Sequence, residues 1–379
     1  MSTESSAAAR RYFPHVNLLR GFAALSVVVY HIIEHFHWSD FPSHGLLLWF
    51  RIGWMSVDLF FVISGFVIGW SLIQLHHQHQ QFLPLAREFL WRRLGRIVPL
   101  YALTLFVFAV VAQPSLLHLS LWKHWLLHLL FLHPLSPDTF GSINGINWSV
   151  GVEMHFYLFA LVTSPWWVRR KPVSLFLIGV TVAWGLRFVA FQISQHYGLN
   201  TPQLHAIASQ MPMMLDEFTA GMGLALLIDR YPPEKWSGSL SRQGMLLASA
   251  MLTSLWLSFY VYWLDPKYWH NPWMVVCWRS LIAISFMLVV AFCVWLPPLK
   301  NPPMVYRALY YLGDISYGIY LWHLTVILVL KERLHDQPLL ALTVTVPTVL
   351  LLSAASWHWL EKPAIRWSKK RSSPSLRSA

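Results

Sequence analysis

The sequence predicts an all-α fold: a polytopic membrane helix bundle of about ten transmembrane helices plus one short re-entrant or partial segment. Three observations predict it. Hydrophobic residues fill 56% of the 379 positions and charged residues only 12%, against about 25% in soluble domains. Mean hydropathy is +0.47. Apolar runs of spanning length recur from end to end, with Lys and Arg gathered in the short segments between them. A net charge of +12 would suit nucleic acid on a soluble domain. Distributed this way it sets orientation in a lipid bilayer, and no nucleic-acid partner is expected.

The N-terminal stretch 1–15 is polar and basic, and the apolar run near 17–36 that follows is too long for a signal core and lacks a small-residue cleavage site. It is expected to stay attached as the first span. Further runs fall near 53–75, 97–113, 148–167, 172–195, 211–229, 244–264, 273–297, 308–330 and 338–360. The piece LWKHWLLHLLFLHPL, 121–135, is short and carries Lys123, His124, His128 and His133, so it either crosses or re-enters. Loop charge decides. With ten crossings, Arg10, Arg11, Arg87, the arginines of 92–96, Arg169, Arg170, Lys171, Arg230, Lys235 and the basic tail from about 361 all face one side. An eleventh crossing would turn 169–171 and the tail outward, against the positive-inside bias. Both termini are therefore expected in the cytoplasm, and 1–379 reads as one membrane domain with no appended soluble one. Cys277 and Cys293 lie in apolar runs and suggest neither a disulfide framework nor a zinc site. The HHQHQQ run at 76–81 reads as a solvated loop, because histidines without carboxylates or cysteines make a weak metal set, and no metal is expected.

The first span, NLLRGFAALSVVVYHIIEHF, keeps Arg20 and His31. An eleven-residue step on an α-helix leaves them within about 20° of each other and about 16 Å apart along the axis. One face at two depths suits a passage with an anion site at one end and a base further in. Arg20 alone could equally snorkel to headgroups, and a lone buried histidine is commonly a satisfied core residue. Other polar residues share His31's half of the bilayer, however: Asp58 and, deeper, Ser64 in VDLFFVISGF, Glu153 and His155 in NWSVGVEMHFYL, and the i+4, i+3 stripe Ser316, Tyr320, His323 in GDISYGIYLWH. Polar glue between helices explains any one of these more easily than all of them. In FLWRRLGRIVPLY, Arg92 and Arg96 share a face with Arg93 beside them. They form either a positive-inside cluster or a clamp for the phosphates of an anionic cofactor.

Six stretches, LLRGFAALSVVVYHI, SVDLFFVISGFVI, RRLGRIVPLY, NWSVGVEMHFYL, ISYGIYLWH and WLEKPAI, resemble in order the blocks of the acyltransferase 3 family, integral membrane O-acyltransferases of bacterial surface glycans. The resemblance implies acetyl-CoA, or another acyl-CoA, as donor from the cytoplasm, and Arg20 and His31 as a functional pair. It implies importance for Glu153 and a place in the bacterial cytoplasmic membrane. His155 stands where many relatives have a second polar or acidic residue, which leaves its role open. With no fused hydrolase-like domain, the chain is expected to act alone or to pass its acyl group to a separate periplasmic protein.

On that basis Arg20, Arg92, Arg93 and Arg96 would dock the donor's phosphates. His31 would act as base or as covalent nucleophile toward a hydroxyl of a glycan or lipid-linked sugar. Glu153 or Asp58 would orient the imidazole or acceptor, and Ser64, Ser316, Tyr317, Tyr320 and His323 would contact substrate or steady the oxyanion. The alternative is a transporter of a small anionic or sugar substrate, against which stands the absence of a second copy of the Arg20/His31 helix.

Overall fold

The computed structural model describes residues 13–232, 241–335 and 337–372, and among these every regular element is helical. Arg10, Arg11, Lys235 and the end of the basic tail, 373–379, lie outside the described residues. α1 (Pro14–His35) starts with a proline, whose missing N–H costs nothing in a first turn. A loop tied by Arg51, which donates to the carbonyls of Ser39 (2.8 Å), Pro42 (3.3 Å) and Phe41, leads through α2 (Leu48–Arg51) into α3 (Ser56–Gln78). Then follow α4 (Phe82–Val111), α5 (Trp122–Leu129), α6 (Trp148–Trp167), α7 (Pro172–Tyr197), α8 (Thr201–Ala208) and α9 (Leu215–Arg230). The chain closes with α10 (Arg242–Leu264), α11 (Arg279–Trp295), α12 (Met304–Asp314), α13 (Ser316–Lys331), α14 (Pro338–Ser356) and α15 (Lys362–Ser372).

Among the described residues, eight helical stretches are long and apolar enough to cross a membrane, and α12 with α13, bent by 69°, makes a ninth. α6 holds the place of the expected fourth span and is 20 residues long. It falls outside that group because Ser149, Glu153, His155 and Ser164 interrupt its apolar run. The polytopic helical class expected from the sequence is therefore the observed one. The 121–135 piece contains only the eight-residue α5, about 12 Å long and far short of the roughly 30 Å hydrocarbon core.

Three local expectations are corrected. No stop signal separates Phe82 from Leu94, so α4 begins 15 residues before the expected 97 and carries Arg92, Arg93 and Arg96 within one continuous helix. The histidine run at 76–81 is the last turn of α3 plus a short loop, with His76 Nε2 2.9 Å from Ser164 Oγ and His79 Nε2 2.7 Å from a Glu88 oxygen. Residues 362–372 are not a free tail. They form α15, which lies on α4 through the Trp91–Trp367 ring contact at 5.4 Å.

α3 and α9 form the centre: 83% of the apolar stretch of α9 is buried, against 11% of that of α10, whose Leu246, Leu252, Trp256 and Leu264 face outward as lipid contact demands. Glycine allows the central pair to touch. A Cβ on Gly65 would stand 2.1 Å from the Phe218 carbonyl oxygen, and one on Gly221 2.1 Å from that of Val62. Small residues at the crossing let backbones approach where lipid offers no hydrophobic drive. The same device joins α1 to α12, where a Cβ on Gly313 would meet Asn17 O at 2.0 Å. Asn17 Nδ2 then donates to Tyr310 O (3.0 Å) and Asp314 Oδ1 (2.9 Å), which fixes the turn of α1 that bears Arg20.

Candidate active site

A cavity of about 140 Å³ opens among α1, α3, α4, α6 and α13. The bend before Ser316 makes it possible, because it starts α13 inside the bundle and turns Ser316, Tyr317 and Tyr320 into the space. One end is cationic. Arg20, Arg93 and Arg96 all line it, and Arg20 has no hydrogen-bond or ion-pair partner among the described residues. Arg93 lies over the rings of Phe89 (5.6 Å) and Tyr157 (5.9 Å), with its buried Nε unbonded. Arg96 is partly held, by Glu361 Oε2 at 3.5 Å, by Asp314 O at 3.4 Å and by the Trp357 ring at 4.9 Å.

A further wall comes from α6, where Ser149, Glu153 and Tyr157 recur at i+4 on one face and Tyr157 lies against Arg93. Glu153 Oε1 accepts from Ser64 Oγ at 2.5 Å and from Tyr157 OH at 2.7 Å, which leaves its second oxygen free to accept from a ligand. Tyr320 OH lies 2.7 Å from Ser149 Oγ and 3.1 Å from Ile146 O. Tyr317 OH donates to Ile97 O at 3.0 Å, and Ser316 Oγ to Gly313 O at 2.8 Å.

His31 does not line this cavity. It pairs with His323, whose ring lies 5.6 Å from that of Tyr320 at the cavity wall. His323 Nδ1 is 2.6 Å from Tyr320 O, and a carbonyl only accepts, so Nδ1 carries the proton. The neutral ring then has an accepting Nε2, which sits 3.1 Å from His31 Nδ1. His31 Nδ1–H is shared between that nitrogen and Val27 O at 3.1 Å. The bonding assigns the tautomer of His31 and leaves its Nε2 lone pair available.

Of the residues singled out in the sequence, the structure brings Arg20, Ser64, Arg93, Arg96, Glu153, Ser316, Tyr317 and Tyr320 to one cavity and sets the bonded pair His31–His323 beside it. It does not bring Arg92 there, which turns back to Glu88 one turn earlier. Nor does it bring Asp58, whose Oδ1 accepts from Arg279 Nη1 at 2.8 Å. His155 faces a separate apolar groove lined by Leu158, Val162 and Met211. Sequence reading missed Ser149 and Tyr157, although their spacing from Glu153 was visible. It also missed a buried charge cluster. Arg187 grips both oxygens of Asp216 at 2.8 Å, and Glu217 Oε1 lies 3.9 Å from Arg187 and 3.8 Å from Arg279. The available signal was five ionisable residues inside apolar runs.

The model of the acyltransferase domain family matches residues 13–358. The chain belongs to this acyltransferase family. Membership agrees with the enzyme class inferred from the six sequence blocks, and it does not favour the transporter alternative. Within the family, YrhL of Bacillus subtilis (strain 168), named as a candidate peptidoglycan O-acetyltransferase, is 26% identical over 93% of this chain and 55% of its own length. The O-acetyltransferase OatA of Staphylococcus aureus is 23% identical over 93% of this chain and 57% of its own. ORF330 of Acidianus two-tailed virus, named as a candidate acetyltransferase, is 26% identical over 83% of each chain. This chain thus spans little more than half the length of YrhL and OatA. No solved structure matches it.

Proposed function

We propose that the protein is a membrane O-acetyltransferase that moves an acetyl group from acetyl-CoA, bound from the cytoplasm, to a hydroxyl of a cell-envelope glycan on the far side of the bacterial cytoplasmic membrane. The observation that carries this reading is the cavity itself: Arg20, with no hydrogen-bond or ion-pair partner among the described residues, and Arg93, held by aromatic rings, share it with Tyr320, which is in ring contact with His323 of the His323–His31 pair. The name of YrhL supports peptidoglycan as the glycan class. Guanidinium groups whose donors are not all spent on carboxylates suit phosphate, which accepts bidentately. An engineered cavity of about 150 Å³ holds one benzene, so about 140 Å³ suits an acyl thioester and a few atoms of its arm. The nucleotide end would stay at the Arg93 and Arg96 mouth.

In the reaction, His31 Nε2 takes the proton of the acceptor hydroxyl as its oxygen attacks the thioester carbonyl carbon. The carbon–sulfur bond breaks, and the proton passes from His31 to the departing thiolate. The same lone pair serves as the nucleophile in a two-step route. The Tyr320 and Ser149 hydroxyls, bonded here to each other and to Ile146 O, would turn to donate to the tetrahedral oxyanion, and Glu153 would orient the substrate through its free oxygen.

Thiol release from acetyl-CoA by the purified protein, with and without a soluble N-acetylglucosamine tetrasaccharide, tests the reading. Expected is release that rises with the sugar, with acetyl ester on the product. Folded protein that releases no thiol under either condition overturns acetyl-CoA as donor.

A further inference from the structure

A second cavity, of about 550 Å³, lies between the 137–148 segment and α8. Its chemistry differs from that of the first. Phe140 and Trp148 stack with ring centroids 5.3 Å apart and planes at 18°, and His205 stands edge-on to both at 5.4 and 5.3 Å. Around these rings lie Asp138, Asn200 and Gln203, and no Lys or Arg lines the cleft. Asn200 Oδ1 accepts from Gln203 N–H and Gln203 Oε1 from Asn200 N–H, each at 3.0 Å. That reciprocal cap uses the two amide oxygens and leaves both side-chain NH₂ groups to donate in a cleft that the accepting carboxylate of Asp138 also lines. Burial, then the nearby Arg279, hold His205 down to about 3, so its ring adds no charge near neutral pH.

We propose that this cleft is the acceptor subsite and holds one neutral sugar unit of the glycan, an inference that rests on the O-acetyltransferase reading. A pyranose has an apolar face of C–H groups and a rim of hydroxyls. The first suits the half-buried Trp148 ring, backed by the buried Phe140, and the second suits paired amide donors with a carboxylate acceptor. A phosphate-bearing donor suits neither, for want of a cation. The two substrates are thereby sorted by charge: arginines line the first cavity and none lines the second. The cavities also share a wall. Trp148 opens the first turn of α6 toward the cleft and touches Phe61 at 6.1 Å, while Phe61 and the adjacent Ser149 line the catalytic cavity. A sugar on Trp148 would therefore lie next to Ser149, whose hydroxyl is 2.7 Å from that of Tyr320, the residue in ring contact with His323.

Titration calorimetry and acceptor kinetics with the N-acetylglucosamine tetrasaccharide test this on the full-length protein in detergent. Trp148→Ala should weaken sugar binding and raise the acceptor KM roughly tenfold, with a much smaller change in kcat, and Trp148→Phe should restore most of the loss. Asp138→Asn, on an exposed loop with little risk to folding, should raise the same KM severalfold. Acetyl transfer with an acceptor KM that neither Trp148→Ala nor Asp138→Asn alters overturns the proposal. A wild type that binds the sugar through Trp148 yet releases no thiol from acetyl-CoA overturns the donor reading instead and leaves the subsite standing.

Discussion

His323 Nε2 and His31 Nδ1 lie 3.1 Å apart, although 292 residues separate them in the chain. Because His323 spends its own proton on the Tyr320 carbonyl, it can only accept from His31, and it turns the lone pair of His31 outward to Nε2. His323 is thus a positioning residue for His31. His31→Gln, which cannot take up a proton near neutral pH, should cost about 10²–10⁴-fold in kcat. His323→Ala should cost about 10–100-fold with little change in donor KM, and His323→Gln, whose amide oxygen can still accept, should recover part of it. Equal losses in kcat for the Ala and Gln variants at position 323 would show that packing, not proton placement, is its contribution.

Arg92, Arg93 and Arg96 of α4 should separate by function. Arg93 and Arg96 line the cavity, whereas Arg92 pairs with Glu88. Arg93→Ala and Arg96→Ala should raise the KM for acetyl-CoA, with kcat changed far less, because phosphate contacts are made alike in ground and transition states. Arg92→Ala should leave that KM within about twofold, since an i,i+4 pair stabilises a helix by only about 0.2–0.5 kcal/mol. A matching KM rise in all three variants would mean that the cluster acts through its overall field.

These contrasts show what sequence could and could not supply. The Arg20/His31 face and the Ser316/Tyr320/His323 stripe follow from the 3.6-residue turn, so both were legible. Helical period says nothing about which partner a face meets. The His31–His323 bond therefore appears only when α1 packs on α13, and Asp58 is drawn from the site by Arg279, 221 residues away. Most of the helix positions were readable from apolar run length. The bend at 314–316 was not, because Gly-Asp within an apolar run fits a continuous helix as readily as a broken one.

The charge cluster should be a stability element. Asp58, Asp216 and Glu217 face Arg187 and Arg279, and all five side chains are at most 7% exposed. Arg279→Met leaves Asp58 and Glu217 with one cation fewer in a buried site, and breaking such pairs costs about 3–5 kcal/mol. Thermal unfolding in detergent should show a clear fall in Tm. Adding Asp58→Leu to Arg279→Met should restore part of it, because the uncompensated charge is then gone. Failure of the double variant to recover would assign the loss to packing around Met214 and Tyr268.

Glycine contacts supply a matched pair of variants. Gly313→Ala would set a Cβ 2.0 Å from the backbone oxygen of Asn17 and drive α1 from α12, one turn from Arg20. Both stability and donor KM should suffer. Gly185→Ala in α7, where nothing lies within 4 Å of the added Cβ, should be neutral or slightly stabilising. A silent Gly313→Ala would mean that the two helices yield at that crossing.

Acid should weaken the short α5 region before the spans. His128 and His133 stack there at 3.9 Å and 9°, with His128 Nε2 3.2 Å from Ser142 Oγ and His133 Nε2 3.0 Å from Asn147 O. Burial, then each histidine's neighbouring imidazoles, push His128 down to about 2; burial pushes His133 down to about 4 against the pull of the Asn147 carbonyl. Unfolded histidine titrates near 6.5, so below that pH the unfolded segment binds protons that the folded one refuses. Stability is therefore fully present above about 6.5 and falls as pH drops from there toward 4, where His133 begins to charge and the loss levels off for that residue. Hydrogen exchange of backbone amides in 122–147 should accelerate between pH 6.5 and 4.5 beyond its intrinsic pH dependence, while that of α3 and α9 should not. His133→Gln, which keeps a hydrogen-bond donor for Asn147 O and cannot charge, should flatten the response. An unchanged slope in that variant would place the acid sensitivity elsewhere in the molecule.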